Sequence, residues 1–173
     1  MLEAVIFVVF PFCMVFAALS DMMSMTIANR VSLLLLATFA AAAPFTGMDW
    51  AEYGMHFAAG AAVLAVTFGL FAFGAMGGGD AKLLTGIAVW FGMSIPLVQF
   101  LLMSAVYGGV LTLLILVYRR SPVSVYLGQI SFLRRIADAK EGVPYGIALG
   151  IAGLSMFPET PLAKWAIASV LAG

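Results

Sequence analysis

Two aspartates, Asp21 and Asp80, each follow a long apolar stretch of this 173-residue chain. Two carboxylates within hydrogen-bonding distance cannot both ionise easily, so one keeps a proton while the other can act as a base toward water. Such a base activates water for attack on an amide carbonyl, and the protonated partner donates to the carbonyl oxygen before the leaving amine takes up a proton. The pair would therefore hydrolyse a peptide bond without a nucleophilic serine, a thiolate or a metal ion.

Three consecutive glycines, Gly77, Gly78 and Gly79, stand directly before Asp80. Glycines let the backbone leave helical geometry and let another segment approach closely. Within a membrane such irregular backbone is tolerated only inside protein or beside a wet cavity, so we expect residues 77–80 to face a polar cleft. We also expect Asp80 to open the next helix, where the helix dipole favours a carboxylate. The same position would suit a simple helix cap, and either aspartate could be a solvated helix end.

The composition excludes a water-soluble fold. Apolar side chains make up 64% of the residues and charged ones 9%, with a mean hydropathy of +1.13, whereas soluble globular domains are roughly 45–50% apolar with glycine included. Since a spanning helix uses about 20 apolar residues, about six spans would leave only short connections. We therefore expect an all-α, polytopic integral membrane protein in which residues 1–173 form a single transmembrane domain, with no separate soluble domain.

The apolar runs predict about six crossings. The run at 83–117 is too long for one helix, and the turn residues from Gly92 to Pro96 divide it. Its first part, 83–92, is short, so we expect either an extension through Asp80 and Lys82 or a locally thinned bilayer. A last run at 162–171 fits a partial seventh crossing or an interfacial helix. The other predicted spans are residues 4–20, 31–47, 54–75 and 143–157.

The charges assign the two ends of these spans to opposite faces. With one crossing per run, segments 21–30, 76–82 and 118–142 share one face, which carries seven of the eight Lys and Arg residues. By the positive-inside bias this face is cytoplasmic, so the N-terminus lies outside and both aspartates lie at the cytoplasmic boundary. Apolar residues recur at three- and four-residue steps within 121–142, which indicates an amphipathic interfacial helix. The basic residues of this face are Arg30, Lys82, Arg119, Arg120, Arg134, Arg135 and Lys140, and the opposite face receives Glu3, Asp49, Glu52 and Glu159.

Few other side chains offer chemistry. Cys13 is the single cysteine, which rules out an internal disulfide and a thiolate metal cluster. His56 is the single histidine, so we interpret it as a boundary or packing side chain rather than a metal ligand. The loops carry no basic stripe interleaved with aromatic residues, which argues against nucleic acid as a partner. The partner that the composition does predict is the lipid bilayer.

At the two aspartates the chain resembles the type IV prepilin peptidases, membrane aspartic proteases of the GxGD class, and in particular the short form that accompanies tight-adherence (Flp) pili. The segment from Gly77 to Leu83, GGGDAKL, matches the family signature GxGDxK(L/M). Asp21 followed by Ile27-Ala28-Asn29-Arg30 resembles the family's D…IPN segment, with Ala28 where the usual proline would stiffen the loop. Pro144-Tyr145-Gly146 resembles the PYG of the segment that opens the family's sixth span.

The resemblance implies a function and a set of site residues. Members cleave a short basic leader from prepilins and pilin-like proteins near the cytoplasmic surface of the bacterial inner membrane, commonly after a glycine that precedes a hydrophobic helix. Longer members carry paired CxxC motifs in a cytoplasmic domain and also methylate the new N-terminus. This chain has one cysteine, so we expect no zinc-binding methyltransferase domain and no metal or organic cofactor. The implied catalytic residues are Asp21 and Asp80, and the implied supporting residues are Gly77, Gly78, Gly79, Lys82, Asn29, Pro144, Tyr145 and Gly146.

Other functions are compatible with some of the same residues. Archaeal preflagellin peptidases share the core motifs, whereas presenilin-like proteases have more spans and a PAL motif that this chain lacks. A small transporter or pilus-assembly subunit could use Asp21 and Asp80 to relay protons or bind a cation, and an inactive peptidase-like scaffold is a third alternative. Transporters ordinarily place ionisable groups near the midplane, often in related halves. Both aspartates lie at one predicted boundary instead, which favours proteolysis. Lys82 could stabilise the anionic aspartate or contact lipid phosphates.

Overall fold

The fold is helical throughout the residues that the structure describes. The computed structural model describes residues 1–121, Ile136 and residues 142–172, and these contain no strand. Most of the amphipathic helix predicted at 121–142 lies outside the described residues. The described α-helices are α1 (Leu2–Ser24), α2 (Asn29–Ala42), α3 (Trp50–Ala72), α4 (Gly78–Phe91), α5 (Ile95–Arg120), α6 (Tyr145–Met156) and α7 (Pro161–Ala172), with 3-10 turns at Ala43–Thr46 and Phe157–Glu159.

Four helices are long and apolar enough to cross a membrane: α1, α3, α5, and α2 together with the 3-10 turn that follows it. The remaining predicted spans are helical but shorter, with 14 residues in α4 and 12 residues each in α6 and α7. The all-helical class and a membrane protein with four candidate spans are therefore confirmed. Six crossings and a partial seventh stay predictions.

The predicted division of the 83–117 run is confirmed. α4 ends at Phe91, and Gly92 follows with a φ of +64°, a left-handed conformation that glycine adopts without strain. Ser94 then caps α5, since its hydroxyl oxygen accepts the Leu97 N–H at 3.3 Å. Pro96 stands in the first turn of α5, where a helix has no internal partner for an N–H in any case.

α4 is the central helix of the bundle. It begins at Gly78, so the short apolar run is extended through Asp80 and Lys82, as one of the two expectations had it. At about 1.5 Å per residue it is about 21 Å long, shorter than the roughly 30 Å core of a bilayer. Nine of its residues are buried, because it packs against α2 and α3 and also touches α5, α6 and α7. A helix that is apolar on all sides is stable when protein surrounds it, so its length need not match the bilayer.

Aromatic side chains fill the centre of the bundle. Trp90 on α4 is fully buried, and its indole N–H donates to the Leu35 carbonyl of α2 at 3.0 Å. Its ring lies against those of Phe10 on α1 and Phe39 on α2, at centroid distances of 4.9 and 6.2 Å. A single side chain of α4 therefore contacts two other helices and has its own polar atom hydrogen-bonded.

His56 is a packing residue, in agreement with its interpretation from the sequence. It is 3% exposed, its Nδ1 lies 2.6 Å from the Val89 carbonyl oxygen, and its ring stacks on Phe39 at 4.7 Å. The ring also covers Gly92, where a β-carbon would come within 2.8 Å of it. His56 therefore holds α3 against the end of α4.

α6 lies against α1 with glycines at the contact. A β-carbon on Gly150 would come within 2.8 Å of the Met14 carbonyl oxygen, and one on Gly153 within 2.5 Å of the Met14 sulfur. One turn earlier, a β-carbon on Gly146 would meet Asp21 in the same way. Small residues at about four-residue spacing let membrane helices approach closely and pack through their backbones. This approach fixes α1 and α6 relative to each other along a face that ends at Asp21.

We expect the Trp90→Ala substitution to destabilise the protein by about 3–5 kcal/mol, because it removes a fully buried indole and leaves a cavity. Trp50→Ala, at a position where the side chain is 77% exposed, is the matched control. It should change the stability by less than about 1 kcal/mol. Unfolding of both purified variants in detergent measures the difference, and equal losses would contradict the central position of Trp90.

Candidate active site

The last turn of α1 and the first turns of α2, α4 and α6 meet at one end of the bundle. A cavity of about 260 Å³ lies there, and both predicted catalytic residues line it. The glycine run before Asp80 faces this cavity, as its sequence predicted. The lining residues are Asp21, Met25, Thr26, Ile27, Asn29, Gly77, Gly78, Gly79 and Asp80.

A second cavity, of about 490 Å³, also adjoins the two carboxyl groups. Asp21, Asp80, Met25 and Gly77 line both cavities. The pair therefore borders two spaces. The second cavity is completed by Gly74, Ala75, Met76, Gly142, Val143 and Tyr145.

Asp21 is held in place by the backbone of another helix. It lies in the last turn of α1, is 6% exposed, and accepts the Gly146 N–H on its Oδ2 at 2.7 Å. That N–H belongs to the first turn of α6, where the backbone donors have no partner within the helix. The hydrogen bond thus satisfies an unpaired donor and fixes the orientation of the carboxyl group.

The Pro144-Tyr145-Gly146 segment has a structural role at each position. A β-carbon on Gly146 would lie 2.7 Å from Asp21 Cβ and 2.9 Å from Asp21 Oδ2, so only glycine lets this backbone reach the carboxyl. Pro144 is buried and precedes the first helical residue of α6. The Tyr145 hydroxyl lies 3.2 Å from Thr112 Oγ1, which ties α6 to α5. The segment therefore starts α6 and anchors it on two neighbours.

Asp80 occupies a capping position and lines the cavity at the same time. It is the third residue of α4, whose N-cap is Gly77, so the expectation that Asp80 itself opens the helix was wrong by two residues. Its side chain folds back over Gly77, where a β-carbon would lie 2.8 Å from Asp80 Oδ2. The helix dipole favours a carboxylate in this first turn. The capping and cavity interpretations of Asp80 are therefore compatible.

The loop between α1 and α2 lies directly on the first turn of α4. Met25 ends α1 with a φ of +53°, and it is the one non-glycine with positive φ in the described part of the chain. Its N–H donates to the Asp21 carbonyl oxygen at 2.8 Å. Ile27 is buried, and a β-carbon on Gly79 would lie 3.2 Å from Ile27 Cβ and 3.3 Å from its nitrogen. Gly79 therefore permits the close approach of a second segment.

Lys82 and Asn29 form a pair that the sequence did not predict. Lys82 Nζ donates to Asn29 Oδ1 at 2.9 Å. Lys82 is exposed and does not line the cavity that holds both aspartates. Its observed partner is therefore Asn29 and not an aspartate, and the contact with a lipid phosphate stays a prediction.

The chemistry available at this end of the bundle is acid–base chemistry between two carboxyl groups. Coupled carboxyls titrate as a pair and can share one proton. Within the described ranges, no three His, Cys, Asp or Glu side chains lie close enough together to hold a metal ion. The arrangement therefore has the parts that water activation and proton donation require.

A model of the type IV leader peptidase family matches residues 8–113, more than half of the chain, including both aspartates, Asn29 and the glycine run. The chain belongs to this family. The resemblance to the type IV prepilin peptidases is thereby confirmed, and the protein is a protease by family. No curated protein and no solved structure matches the sequence. The match ends within α5, so the Gly146 contact on α6 lies beyond it.

Sequence reasoning missed part of this leader peptidase's site. The left-handed Met25 and the packing of Ile27 on Gly79 depend on how the loop folds, and no local pattern signals either. The approach of α6 to α1 did leave a signal, because Gly146 and Gly150 are spaced as small residues are at close helix contacts in membranes. That spacing could have identified α6 as the neighbour of a helix that it packs on closely.

We expect the Gly146→Ala substitution to lower processing of a co-expressed prepilin by roughly 10- to 100-fold, because the added methyl displaces the Asp21 carboxyl by a fraction of an ångström to about 1 Å. Gly69→Ala on α3 is the matched control, since nothing lies within 4 Å of a β-carbon there. Gel mobility of the precursor and mature pilin measures processing. An unchanged rate in Gly146→Ala would contradict the close contact between α6 and Asp21.

Proposed function

We propose that the chain is an aspartic endopeptidase that removes the leader from type IV prepilins, with Asp21 and Asp80 as its catalytic pair. One observation carries the proposal: two carboxyl groups from distant parts of the chain line the same two cavities. The family of the chain supplies the class of substrate, since leader peptidases of this type act on prepilins. The geometry supplies the two acid–base groups that such a cleavage needs.

The proposed reaction uses the pair in two opposite roles. The ionised carboxylate takes a proton from water, and the water oxygen bonds to the carbonyl carbon of the scissile peptide. The protonated carboxyl donates to the carbonyl oxygen as negative charge develops on it. When the C–N bond breaks, the amine leaves with a proton from the pair, which returns to its singly protonated state. The Gly146 N–H holds Asp21 in one orientation through these steps.

The two cavities fit an extended peptide that passes the aspartates. One cavity, of about 260 Å³, lies toward the α1–α2 loop, and the other, of about 490 Å³, lies toward the start of α6. A peptide chain advances about 3.3 Å per residue when extended, so residues on both sides of the scissile bond can occupy these spaces. This geometry supports an endopeptidase, whose substrate continues in both directions from the cleaved bond.

The charges support a site at the cytoplasmic face of a bacterial inner membrane. Among the described residues, Arg30, Lys82, Arg119 and Arg120 lie at the end of the bundle that holds the aspartates. Basic residues prefer the cytoplasmic side of membrane proteins, which places the N-terminus outside. The apolar stem of a precursor can then lie among the spans while its leader reaches the aspartates. We infer Flp-like prepilins and pilin-like proteins as substrates, from the short form that the sequence resembles.

The position of the aspartates argues against the transport alternative. Both lie in terminal turns of their helices, Asp21 at the end of α1 and Asp80 at the start of α4. A carrier of protons or cations would place ionisable groups toward the middle of the spans, and often in related halves. The site supports hydrolysis at a boundary instead.

We expect Asp21→Asn and Asp80→Asn each to abolish detectable processing of a co-expressed prepilin, because an amide can neither take a proton from water nor complete the proton cycle. Asp49→Asn is the matched control at the other end of the bundle. Asp49 caps α3 by accepting the Ala51 and Glu52 N–H groups, and asparagine caps helices as well as aspartate does. Gel mobility of the pilin measures processing, and membrane fractionation checks insertion.

Undiminished processing by both aspartate variants would exclude the aspartic mechanism. A proton or cation flux that depends on Asp21 and Asp80, in a chain that cleaves no prepilin, would support the transport alternative. Loss of processing together with loss of the protein from the membrane would require the more conservative Asp21→Glu and Asp80→Glu variants. These keep an acid and are expected to insert normally.

Single cysteines at Thr26 and Ala75 should react with a membrane-impermeant maleimide in inverted vesicles and not in intact cells, because both residues are exposed at the site end of the bundle. Trp50→Cys, exposed at the opposite end, should show the reverse pattern. The background carries Cys13→Ala, which removes the buried native thiol. Labelling of positions 26 and 75 from opposite faces would rule out a shared site at one surface.

A further inference from the structure

A hydrogen bond joins the first turns of α2 and α4 beside the aspartate cavity. Lys82 Nζ donates to Asn29 Oδ1 at 2.9 Å, between residues 53 positions apart in the sequence. Asn29 lines the cavity with Asp21 and Asp80, while Lys82 lies outside it. Among the described residues, neither aspartate forms a hydrogen bond or an ion pair with Lys82. Lys82 therefore acts on the site through Asn29.

A second contact secures the same loop on the same helix turn. Ile27, two residues before Asn29, is 8% exposed and packs against Gly79, three residues before Lys82. The apolar contact and the hydrogen bond lie two residues apart on the loop side and three residues apart on α4. Together they hold the α1–α2 loop against the start of α4.

This loop matters because the two aspartates belong to helices with different neighbours. α1 packs mainly on α2 and α6, while α4 packs mainly on α2 and α3. α2 packs on both, and α6 and α7 also contact both. Asp21 lies one turn before the loop, and Asp80 lies between Gly79 and Lys82. The contacts that hold the loop on α4 therefore join the two segments that carry the carboxyl groups.

We propose that Asn29 and Lys82 form a clamp that positions the catalytic pair, so that both are positioning residues and neither exchanges protons with the substrate. This inference rests on the proposed peptidase function and deepens it. Breaking the clamp frees the loop and lets the two carboxyl groups separate. Because a misplacement of about 1 Å can cost roughly 100-fold in rate, a single exposed hydrogen bond can have a large effect on turnover.

Ala28 provides an independent way to restrain the same loop. Its φ is −65° and its ψ is 132°. Proline fixes φ at about −65° and lacks an N–H, and Ala28 donates no hydrogen bond in the described part of the chain. Ala28→Pro should therefore fit the observed backbone while removing freedom from the loop. A proline there should replace part of what the clamp does.

The test is a kinetic comparison of the full-length protein in proteoliposomes, with a prepilin as substrate. We expect Asn29→Ala and Lys82→Ala each to lower kcat by about 10-fold or more, with KM within about twofold, because the substrate still binds while the pair is misplaced. The double variant should lose no more than either single variant, since both remove one interaction. Asn29→Asp and Lys82→Arg keep an acceptor and a donor and should recover most of the loss.

Adding Ala28→Pro to the Asn29→Ala/Lys82→Ala variant should restore at least about a third of the lost kcat, because the proline restrains the freed loop covalently. If Lys82 instead acted by binding a lipid phosphate or the substrate, a proline at position 28 would not restore the activity lost with the lysine. Lys164→Ala is the matched control: it is an exposed lysine at the opposite end, ion-paired with Glu159, and its loss should leave kcat unchanged.

Three results would overturn the clamp. They are additive losses in the double variant, a rise in KM with kcat unchanged, and no recovery on adding Ala28→Pro. Thermal unfolding of each variant separates these from a general loss of stability, since the clamp predicts a large fall in kcat with little change in the unfolding temperature. If the wild-type protein cleaves no prepilin at all, the proposed function fails and not the clamp alone.

Discussion

The unpaired backbone N–H groups at the start of a helix are the constraint on which the site depends. α4 and α6 are short, and both begin inside the bundle against other helices. Their first N–H groups have no partner within the helix, and buried unsatisfied donors are costly where little water reaches them. Asp21 accepts the Gly146 N–H, and the side chain of Asp80 folds back over Gly77, the N-cap of its own helix. Each carboxyl group thus meets a structural need that also fixes its orientation.

The membrane explains why these carboxyl groups lie at helix ends. A polar side chain in the middle of a span must be desolvated, whereas a terminal turn borders the interface and can keep some water. α1 extends one turn past Asp21 before Met25 reverses the chain, while α6 starts beside Asp21. Space remains beside the pair in the two cavities that both aspartates line.

The sequence predicted those features that follow from local composition. Apolar runs located every described helix. The glycine run and the number of crossings between the two aspartates predicted that Asp21 and Asp80 lie at the same end of the bundle. The start of α4 was displaced because helix propensity does not show that Gly78 and Gly79 will be drawn into a helix by burial of the residues after them. The Gly146 contact and the Lys82–Asn29 bond join residues more than 50 positions apart, and such contacts depend on how helices pack, which no single segment specifies.

The low charge of the chain also shapes how the site is built. With charged residues at 9% of the sequence, few side chains can surround the two carboxyl groups, and backbone takes their place. Gly77 and Gly146 lack the β-carbons that would meet Asp80 and Asp21, so main chain approaches both aspartates directly. Gly79 in turn lets the α1–α2 loop approach, because a β-carbon there would meet Ile27. A backbone N–H donor has no side-chain rotamers to restrict. A substitution can remove its contact with the aspartate only at the glycine that carries it. The exposed pair of Asn29 and Lys82 is different: it uses side chains at the rim, where water can solvate a lysine, and its hydrogen bond adds to the packing of Ile27 on Gly79.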